Sequence, residues 1–482
     1  MRKLLMSSVV FLFSLLVAAH SGKARFHVII DSDGAADDLR AICMLLANSE
    51  VQTLAITATE SALTPEAAAI KIQALLNRFN HQGIPVGVGR KLDITPPMWR
   101  RQSEQIIWGD CENLQMPKLS AKELIIQEIE SEENKILILC FGSLTNISDV
   151  IDARPDLKER IDRIIWYNSA ASPLRGANYS ADRASAYKVL ESGIKIDIVS
   201  GSLGHEVAID EIYLNNIEKI ENNRYAEKIV ETHRSNVLQP VVESGHLKMW
   251  DDLAVIYLFM PQLFTSQEIN SSVSIHSLAS AEMASFASMI AVNILEGNIS
   301  AESRVFFSFP EDPALFAADV SPAVDRIISL HGRSEWRAGV LTNELHGHLG
   351  IYAIIGVKMG IRAREFFNIG VDNIQVVSYA GLRPPVSCIN DGLQVSTGAT
   401  LGHGLISISN DDNIRPEATF TFKNTTLRLK LKPEYVQLIR EDIRQAISLY
   451  GNLTEPYWER VRYLAIKYWE EFDRNEIFEM NW

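Results

Sequence analysis

The chain has 482 residues, of which 47% are hydrophobic and 22% charged, a composition typical of a globular protein rather than a disordered or coiled-coil one. Its length predicts two or three domains. The formal net charge of −14 is unfavourable for binding nucleic acid or for a basic membrane-surface protein, whereas an excess of carboxylates suits a protein that holds a hard cation. Four cysteines are too few for a disulfide framework in a chain of this length.

The N-terminus carries the pattern of a secretory signal peptide. Arg2 and Lys3 precede an apolar run from Leu4 to Ala19, which ends in small residues typical of a cleavage site. The alternatives are a buried first helix or a membrane anchor, but the run is shorter than the roughly 20 apolar residues that span a bilayer. We therefore predict a signal peptide over residues 1–24, cleaved near Ala19. The mature protein is expected to be soluble, secreted or periplasmic, and without a membrane span.

Strands and helices alternate from residue 26 to about residue 264. Short apolar segments such as FHVIID and KILILCFG are interleaved with amphipathic ones such as DDLRAICMLLANS, which predicts an α/β fold with a mostly parallel sheet and flanking helices. Sites in such sheets lie at the carboxyl ends of the strands. A second block from about residue 335 predicts a smaller α+β domain. The predicted divisions after the signal peptide are domains over residues 25–331 and 332–432 and a helical C-terminal extension over 433–482.

The loop after the first predicted strand carries four carboxylates within eight residues, Asp31, Asp33, Asp37 and Asp38. Asp37 and Asp38 fall at the start of a helix, where the helix dipole favours negative charge. One alternative is that Asp37 caps the helix and the other carboxylates are solvated. Four carboxylates at one strand end, however, would raise one another's pKa unless a cation keeps them ionised. We therefore predict a metal site, and several carboxylate and carbonyl oxygens are what Ca²⁺ requires.

Five segments in series resemble the inosine-uridine-preferring nucleoside hydrolase family. DSDGAADD resembles the family fingerprint DxDPGxDD, and four later motifs are matched by LAITATESALTPEAA, ILCFGSLTNI, ANYSADRASAYKVLESGIKI and MWDDLAVIYLFMPQLF. The resemblance covers about residues 26–265 and implies the nucleoside hydrolase fold. It also implies hydrolysis of the N-glycosidic bond of a ribonucleoside or a related ribosyl compound, and a homo-oligomer.

The resemblance also implies roles for individual residues. Ca²⁺ would be bound by four groups, Asp33, Asp38, the backbone carbonyl of Phe141 and Asp251. Asp33 would in addition be the general base that takes a proton from the Ca²⁺-bound water attacking ribose C1′. The transition state would resemble an oxocarbenium ion. Contacts with the ribose are implied for two further residues, Asp37 and Asn178.

Several positions depart from the family pattern. The family's GN after the second strand is Ser61-Ala62 and the Glu of its EFN segment is Gly176, so two ribose contacts are missing. Trp108 and Trp250 stand where the family has histidines, and they could sandwich a purine base by stacking. The alternative is that both are core aromatics. We expect an exported Ca²⁺-dependent hydrolase with a preference for purines; the alternative is a catalytically weakened protein that binds Ca²⁺ and ribose.

A second group of candidate ligands lies in the C-terminal part. His346, His348 and Cys388 suit Zn²⁺ or another transition metal, and Cys388 at a predicted helix start would have a lowered thiol pKa. LHGHLG and CINDGLQVSTGATLGHG resemble motifs of the FmdE family, named for the E subunit of formylmethanofuran dehydrogenase, over about residues 335–430. Gly350 and Ala399 replace two family cysteines, so a degenerate domain kept for packing or partner binding is the alternative. The rival function is a metal-dependent redox or one-carbon reaction in this domain.

Overall fold

The computed structural model of the chain describes residues 24–201, 206–297 and 309–482. The predicted signal peptide, apart from Ala24, lies outside the described residues. The chain forms two compact units, residues 25–312 with 365–368 and residues 313–364 with 369–482. No helix in the described ranges is long and apolar enough to cross a bilayer.

The N-terminal unit is built on a mostly parallel eight-stranded sheet. Across the sheet the strands are β3 (Val86–Val88), β2 (Val51–Ala58), β1 (Phe26–Ser32), β4 (Ile136–Cys140), β5 (Ile161–Tyr167), β8 (Ile196–Val199), β10 (Val273–Leu278) and β9 (Phe264–Glu268). Among these strands β9 alone runs antiparallel to its neighbour. Two short strands form a separate hairpin, β6 (Ala170–Ala171) and β7 (Leu174–Arg175). This architecture confirms the α/β fold class predicted from the sequence.

Helices cover both faces of this sheet, as continuously apolar strands require. All five residues of β4 are buried, and successive residues of β1 point into opposite cores, Val28 and Ile30 into one and Ile29 into the other. The first core contains residues of α1 (Ala36–Ala47), α2 (Pro65–Arg78), α8 (Glu211–Glu218), α9 (Arg224–His233), α10 (Gln239–Glu243), α11 (Asp251–Phe259) and α12 (Ala281–Glu296). The second contains residues of α4 (Ala121–Ser131), α5 (Thr145–Ala153), α6 (Ala177–Ala181) and α7 (Arg183–Leu190).

The strand order places a topological switch point beside β1. The sheet continues from β1 to β2 on one side and to β4 on the other, and all three strands are parallel. The loops that follow these strands therefore open at the same edge of the sheet, where ligands bind in open α/β sheets. The acidic loop found in the sequence is the loop that follows β1.

The C-terminal unit has a mixed five-stranded sheet. Its order is β12 (Ile406–Ile408), β11 (Gln375–Ser378), β13 (Glu417–Phe422), β14 (Thr425–Leu431) and β15 (Phe478–Asn481), with only β11 and β12 parallel among these pairs. The helices are α13 (Val324–His346), α14 (Ile351–Phe367, in this unit up to Arg364), α15 (Ile389–Thr397), α16 (Pro433–Tyr450) and α17 (Glu455–Glu471). The segment 433–482, predicted to be helical, contains α16 and α17 but ends in the strand β15, because the buried Phe478 pairs with Leu431 at the sheet edge.

Candidate active site

The loop after β1 turns sharply into α1. Gly34 has φ +77, and a Cβ there would lie 2.9 Å from Ala68, so a side chain would be both strained and crowded. The turn lets α1 begin at Ala36, which places Asp37 and Asp38 in its first helical turn. Negative charge is favoured at this end of a helix. The local sequence therefore directs two carboxylates to the carboxyl edge of the sheet.

Three carboxylates converge at this edge. Asp37, Asp38 and Asp251 each offer an oxygen atom, and these atoms lie within 4.8 Å of one another. Asp251 comes from the first turn of α11, far away in the sequence. Across residues 24–201, 206–297 and 309–482, this is the one set of three or more His, Cys, Asp or Glu side chains so arranged. Asp251 Oδ1 is buried and accepts no hydrogen bond, so an oxygen atom is available to a cation.

Asp33 adjoins this set and is held by the backbone. Its Oδ1 accepts a hydrogen bond from the amide of Ala35 at 3.2 Å, and its Oδ2 accepts one from the amide of Ala62 at 3.1 Å. The amide of Asp33 in turn donates to Asp38 Oδ1 at 2.8 Å, and the Ser32 hydroxyl donates to the same oxygen at 2.7 Å. Asp33 and Asp38 thus have fixed orientations, while Asp33 itself is not one of the three converging carboxylates.

The electrostatics of the cluster fit a hard cation. Burial, with a smaller contribution from Asp37, raises the pKa of Asp33 to about 6. Burial and the neighbouring carboxylates raise the pKa values of Asp38 and Asp251 well above their ordinary range. A divalent cation among these oxygens would remove the cost of ionising them together. The donor set contains only oxygen, which is the chemistry that Ca²⁺ and Mg²⁺ prefer.

Asp31, which the sequence analysis assigned to the acidic loop, is instead a residue of the strand β1. Its Oδ1 accepts hydrogen bonds from Thr57 Oγ1 at 2.6 Å and Asn146 Nδ2 at 2.8 Å, while its Oδ2 is buried without a partner. Burial raises the pKa of Asp31 to about 7, although the two donors oppose this. Asp31 is therefore a structural residue, which its hydrogen bonds hold in place at the carboxyl end of β1.

Asn178 and the carbonyl of Phe141, which the sequence assigned to different roles, are in direct contact. Asn178 Nδ2 donates to the Phe141 carbonyl at 2.7 Å and to the Tyr167 carbonyl at 3.1 Å. The next residue, Gly142, packs so closely that a Cβ there would lie 2.4 Å from Thr59 and 3.0 Å from Asp33. The loop after β4 therefore lies directly against Asp33.

The two tryptophans differ in environment. Trp108 is 1% exposed, belongs to the core beside α1, and meets His233 edge-on at 6.0 Å between ring centroids. In this conformation it offers no open ring face to a nucleobase. Trp250 is partly buried and directly precedes Asp251 at the start of α11.

A buried ionic network beneath the cluster was not predicted from the sequence. Arg40 of α1 forms a bidentate pair with Asp252 of α11 at 2.8 and 2.6 Å, and its third nitrogen contacts His233 Nε2 at 2.8 Å. His233 Nδ1 lies 2.7 Å from the Ile229 carbonyl, and burial together with Arg40 lowers the pKa of His233 to about 3. This histidine is therefore neutral, with Nδ1 donating and Nε2 accepting. The sequence did contain one indication of this network, a single arginine, Arg40, within the apolar run LRAICMLL.

The three predicted ligands of the C-terminal unit do not converge. His346 Nδ1 lies 2.6 Å from Asp391 Oδ2, and the rings of His346 and His348 are 4.4 Å apart. Cys388 precedes α15 and does not complete a three-ligand set with them. The expectation of a lowered thiol pKa is wrong: burial, and after it the charge of Asp391, raises the pKa of Cys388. Desolvation outweighs the nine-residue helix here.

Two family models match successive parts of the chain. The model of the family described as inosine-uridine preferring nucleoside hydrolase matches residues 28–297. The model described as FmdE, molybdenum formylmethanofuran dehydrogenase operon, matches residues 345–462. The pyrimidine-specific ribonucleoside hydrolase RihA of Escherichia coli K12 is 25% identical over 264 residues, covering 50% of this chain and 82% of RihA.

Two solved structures are similar to part of this chain at low sequence identity. A purine-preferring ribonucleoside hydrolase from Gardnerella vaginalis is 18% identical with a TM-score of 0.47, covering 56% of this chain and 99% of that one. An inosine-uridine preferring nucleoside hydrolase from Bacillus anthracis is 16% identical with a TM-score of 0.46, covering 55% and 99%. Since the first family model spans more than half of the chain, the protein belongs to the inosine-uridine preferring nucleoside hydrolase family and is an N-glycosyl hydrolase.

Proposed function

We propose that this protein is an exported, Ca²⁺-dependent hydrolase of ribonucleosides, or of related ribosyl compounds, that acts at the carboxyl end of β1. The observation that carries the proposal is the convergence of Asp37, Asp38 and Asp251 beside Asp33, with a buried and unpartnered oxygen on Asp251. Such a site is costly to the fold without a cation, because like charges are held together away from water. Its oxygen ligands favour Ca²⁺ over a transition metal.

Asp33 is proposed as the general base. Its carboxylate accepts a proton from the water whose oxygen attacks ribose C1′, and the amides of Ala35 and Ala62 hold the two carboxylate oxygens in place. The bond from C1′ to the base nitrogen breaks, and the base leaves with the electron pair and takes up a proton from solvent, to which Asp33 returns the proton that it accepted. The neighbouring carboxylates stabilise positive charge that develops on the ribose ring. Ca²⁺, when bound, would keep the carboxylates ionised and lower the pKa of the attacking water.

The ribose would be held by Asp37 and Asn178, with fewer contacts than the family pattern provides. Ala62 offers no side-chain amide. At Gly176, a Cβ would lie 2.2 Å from Ser169 Oγ, and φ is +115, so a carboxylate side chain does not fit there. These two positions favour the second candidate, a protein that binds Ca²⁺ and ribose but turns over slowly. Two lost charge-assisted hydrogen bonds would cost about 1.5–3 kcal/mol each.

Base preference has two candidates. A preference for purines would rest on stacking by Trp250 and Trp108, and Trp108 would have to leave its core position to take part. A preference for pyrimidines is favoured by the burial of Trp108 and by the pyrimidine specificity of RihA. Release of hypoxanthine from inosine against release of uracil from uridine separates the two.

Export and assembly are further parts of the proposal. Export is supported by the basic and apolar pattern of residues 1–24, and N-terminal sequencing of the protein recovered from the culture medium or periplasm would test it. A chain that keeps Met1 would contradict cleavage near Ala19. Assembly into a homo-oligomer is supported by the family membership, and light scattering on the purified protein would test it.

The C-terminal unit is not assigned a metal. His346, His348 and Cys388 do not form a three-ligand set, so Zn²⁺ or another transition metal does not fit the side chains as they stand. A redox or one-carbon function in this unit has one observation in its favour, the match to the FmdE model. That function would be lost on replacing Cys388 and would survive replacement of Asp33.

The deciding experiment measures base release from a panel of purine and pyrimidine nucleosides with added Ca²⁺. Wild type, Asp33→Ala and the exposed control Asp162→Asn are compared, with Ca²⁺ binding followed by calorimetry. We expect release by wild type and by the control, and a loss of about 10²–10⁴-fold for Asp33→Ala, the usual contribution of a general base. Ca²⁺ binding without release of any base would favour the binding protein instead.

A further inference from the structure

One arginine outside the acidic cluster connects to it through the backbone. Arg100 lies on α3 (Arg100–Gln105), within the segment that joins β3 to α4, and its side chain is 11% exposed. Arg100 Nε donates to the Ala62 carbonyl at 2.9 Å, and Nη2 donates to the Ser61 carbonyl at 2.9 Å. Nη2 also pairs with Glu60 Oε1 at 3.2 Å. A single guanidinium therefore holds three consecutive residues of the loop after β2.

Glu60 makes this arrangement rigid. Its carboxylate is 3% exposed, and its second oxygen accepts a hydrogen bond from the amide of Leu92 at 2.6 Å. The segment after β3 is thus attached to the loop after β2 at two points, Leu92 and Arg100. A buried ion pair is retained only when further hydrogen bonds satisfy its remaining donors and acceptors, and the carbonyls of Ser61 and Ala62 supply them here.

The loop that Arg100 holds is the loop that holds Asp33. Ala62 accepts from Arg100 through its carbonyl and donates through its amide to Asp33 Oδ2 at 3.1 Å. The amide of Leu63 donates to the Asp33 carbonyl at 3.3 Å. Movement of this loop would therefore release one of the two carboxylate oxygens of Asp33, leaving only the amide of Ala35 on the other.

We propose that Arg100 is a positioning residue for Asp33, acting through the peptide groups of Ser61 and Ala62. The inference rests on the proposed role of Asp33 in hydrolysis. Ala62 stands where the family pattern has an asparagine, and its side chain cannot reach the substrate; the position keeps a function through its backbone amide. A small displacement of a reacting group can cost about 10²-fold in rate, so an anchor of this kind affects turnover more than substrate affinity.

The test compares Arg100→Met and Arg100→Lys with Arg101→Met. Arg101 is the next residue of α3, is exposed, and makes none of the contacts described above. Hydrogen exchange of the peptide 59–64 is followed by mass spectrometry without added metal, and kcat and KM are measured with Ca²⁺. For Arg100→Met we expect at least tenfold faster exchange in this peptide and at least tenfold lower kcat, with KM within threefold of wild type. For Arg100→Lys, the exchange rate and kcat should lie between those of wild type and Arg100→Met. For Arg101→Met, both should match wild type.

Two results would overturn the proposal. One is unchanged exchange of the peptide 59–64 in Arg100→Met; the other is faster exchange with kcat left as in wild type. If Arg100→Met does not fold, Glu60→Gln gives the same comparison, because it weakens the pair while keeping Arg100. If wild type releases no base at all, the proposed function fails, and Ca²⁺ affinity replaces kcat as the second measurement. A tenfold weaker Ca²⁺ affinity of Arg100→Met, together with faster exchange of the peptide 59–64, would then still support the positioning of Asp33. An unchanged Ca²⁺ affinity would contradict it.

Discussion

The acidic site of the N-terminal unit and the His/Cys group of the C-terminal unit are both candidate ligand sets in the sequence, and the structure separates them. Asp37, Asp38 and Asp251 bring their oxygen atoms within 4.8 Å, whereas His346, His348 and Cys388 form no such set. The first set lies where parallel strands end beside a switch point, so the topology itself brings distant segments together. The residues of the second set lie near the end of α13 and the start of α15, and no common sheet edge brings these two helix ends together.

The two sites also differ in the charges that surround their ionisable side chains. Burial among like charges raises the pKa values of Asp38 and Asp251, and a cation would relieve this. Burial also raises the pKa of Cys388, but the neighbouring charge there is that of Asp391, and His346 already contacts this carboxylate at 2.6 Å. The acidic site is therefore arranged for an external cation, while His346 has a partner within the chain.

The strongest test of this comparison removes one group from each site. Asp251→Asn takes an ionised oxygen from the converging set, and we expect Ca²⁺ affinity to fall about 10²-fold or more, because that affinity follows the number of charged ligands. Cys388→Ala should leave both Ca²⁺ affinity and base release as in wild type. Calorimetric titration with Ca²⁺ and a base-release assay on both variants measure this. A loss of base release in Cys388→Ala would move the chemistry to the C-terminal unit.

The two units also contain buried ion pairs of different construction. Arg40 and Asp252 are both fully buried, and removing Arg40 leaves a carboxylate and His233 Nε2 without a partner. Lys358 and Glu335 are equally buried, but Glu335 also contacts Arg474 at 3.1 Å. We expect Arg40→Met to lower the free energy of unfolding by about 3–5 kcal/mol, and Lys358→Met by about 1–3 kcal/mol, since one partner remains.

Urea denaturation of the two single variants measures this difference. The double variant Arg40→Met with Asp252→Leu is the control, because replacing both members of a buried pair by apolar groups is often neutral. It should recover most of the loss. If it is as unstable as Arg40→Met, the pair itself stabilises the fold and the explanation by an unpaired charge is wrong.

The fold class and the region of the site could be predicted from the sequence because both follow from patterns of residues that are close together along the chain. Apolar strands alternating with helices imply a covered parallel sheet, and carboxylates directly after a strand imply a site at its carboxyl end. The burial of Trp108 and the contact between Asn178 and the Phe141 carbonyl depend on how loops pack, which no spacing in the sequence reveals. The Arg100 contacts were missed for the same reason, since all but one of them are made with or through the backbone.

The pH dependence of stability sharpens the comparison further. The pKa of Asp31 is raised from 3.8 to about 7 in the folded chain, so the folded state binds an extra proton between these values. The contribution of Asp31 to stability without metal should therefore be fully present below about pH 4 and fall as the pH rises toward 7, by at most about 1.4 kcal/mol per pH unit. The raised pKa values of Asp33, Asp38 and Asp251 add to the total slope. Asp31→Asn keeps an acceptor for Thr57 and Asn146 and should flatten this slope, as thermal unfolding from pH 4 to 8 with a chelator would show. An equal slope in Asp31→Asn would assign the effect to other carboxylates.

The smallest effect concerns the thiol of Cys388. Because burial and the charge of Asp391 raise the pKa of this thiol, its alkylation by iodoacetamide should show a midpoint at a higher pH than alkylation of the same cysteine in an unfolded peptide. The experiment uses Cys111→Ser, since Cys111 is the exposed free cysteine while Cys43 and Cys140 are buried. Added Zn²⁺ should not protect Cys388, because the two histidines do not complete a site with it. A midpoint no higher than that of the peptide would contradict the burial of the Cys388 thiol. Protection by stoichiometric Zn²⁺ would mean that His346, His348 and Cys388 form a metal site once the metal is supplied, so that the two ligand sets would not differ in the way their geometry indicates.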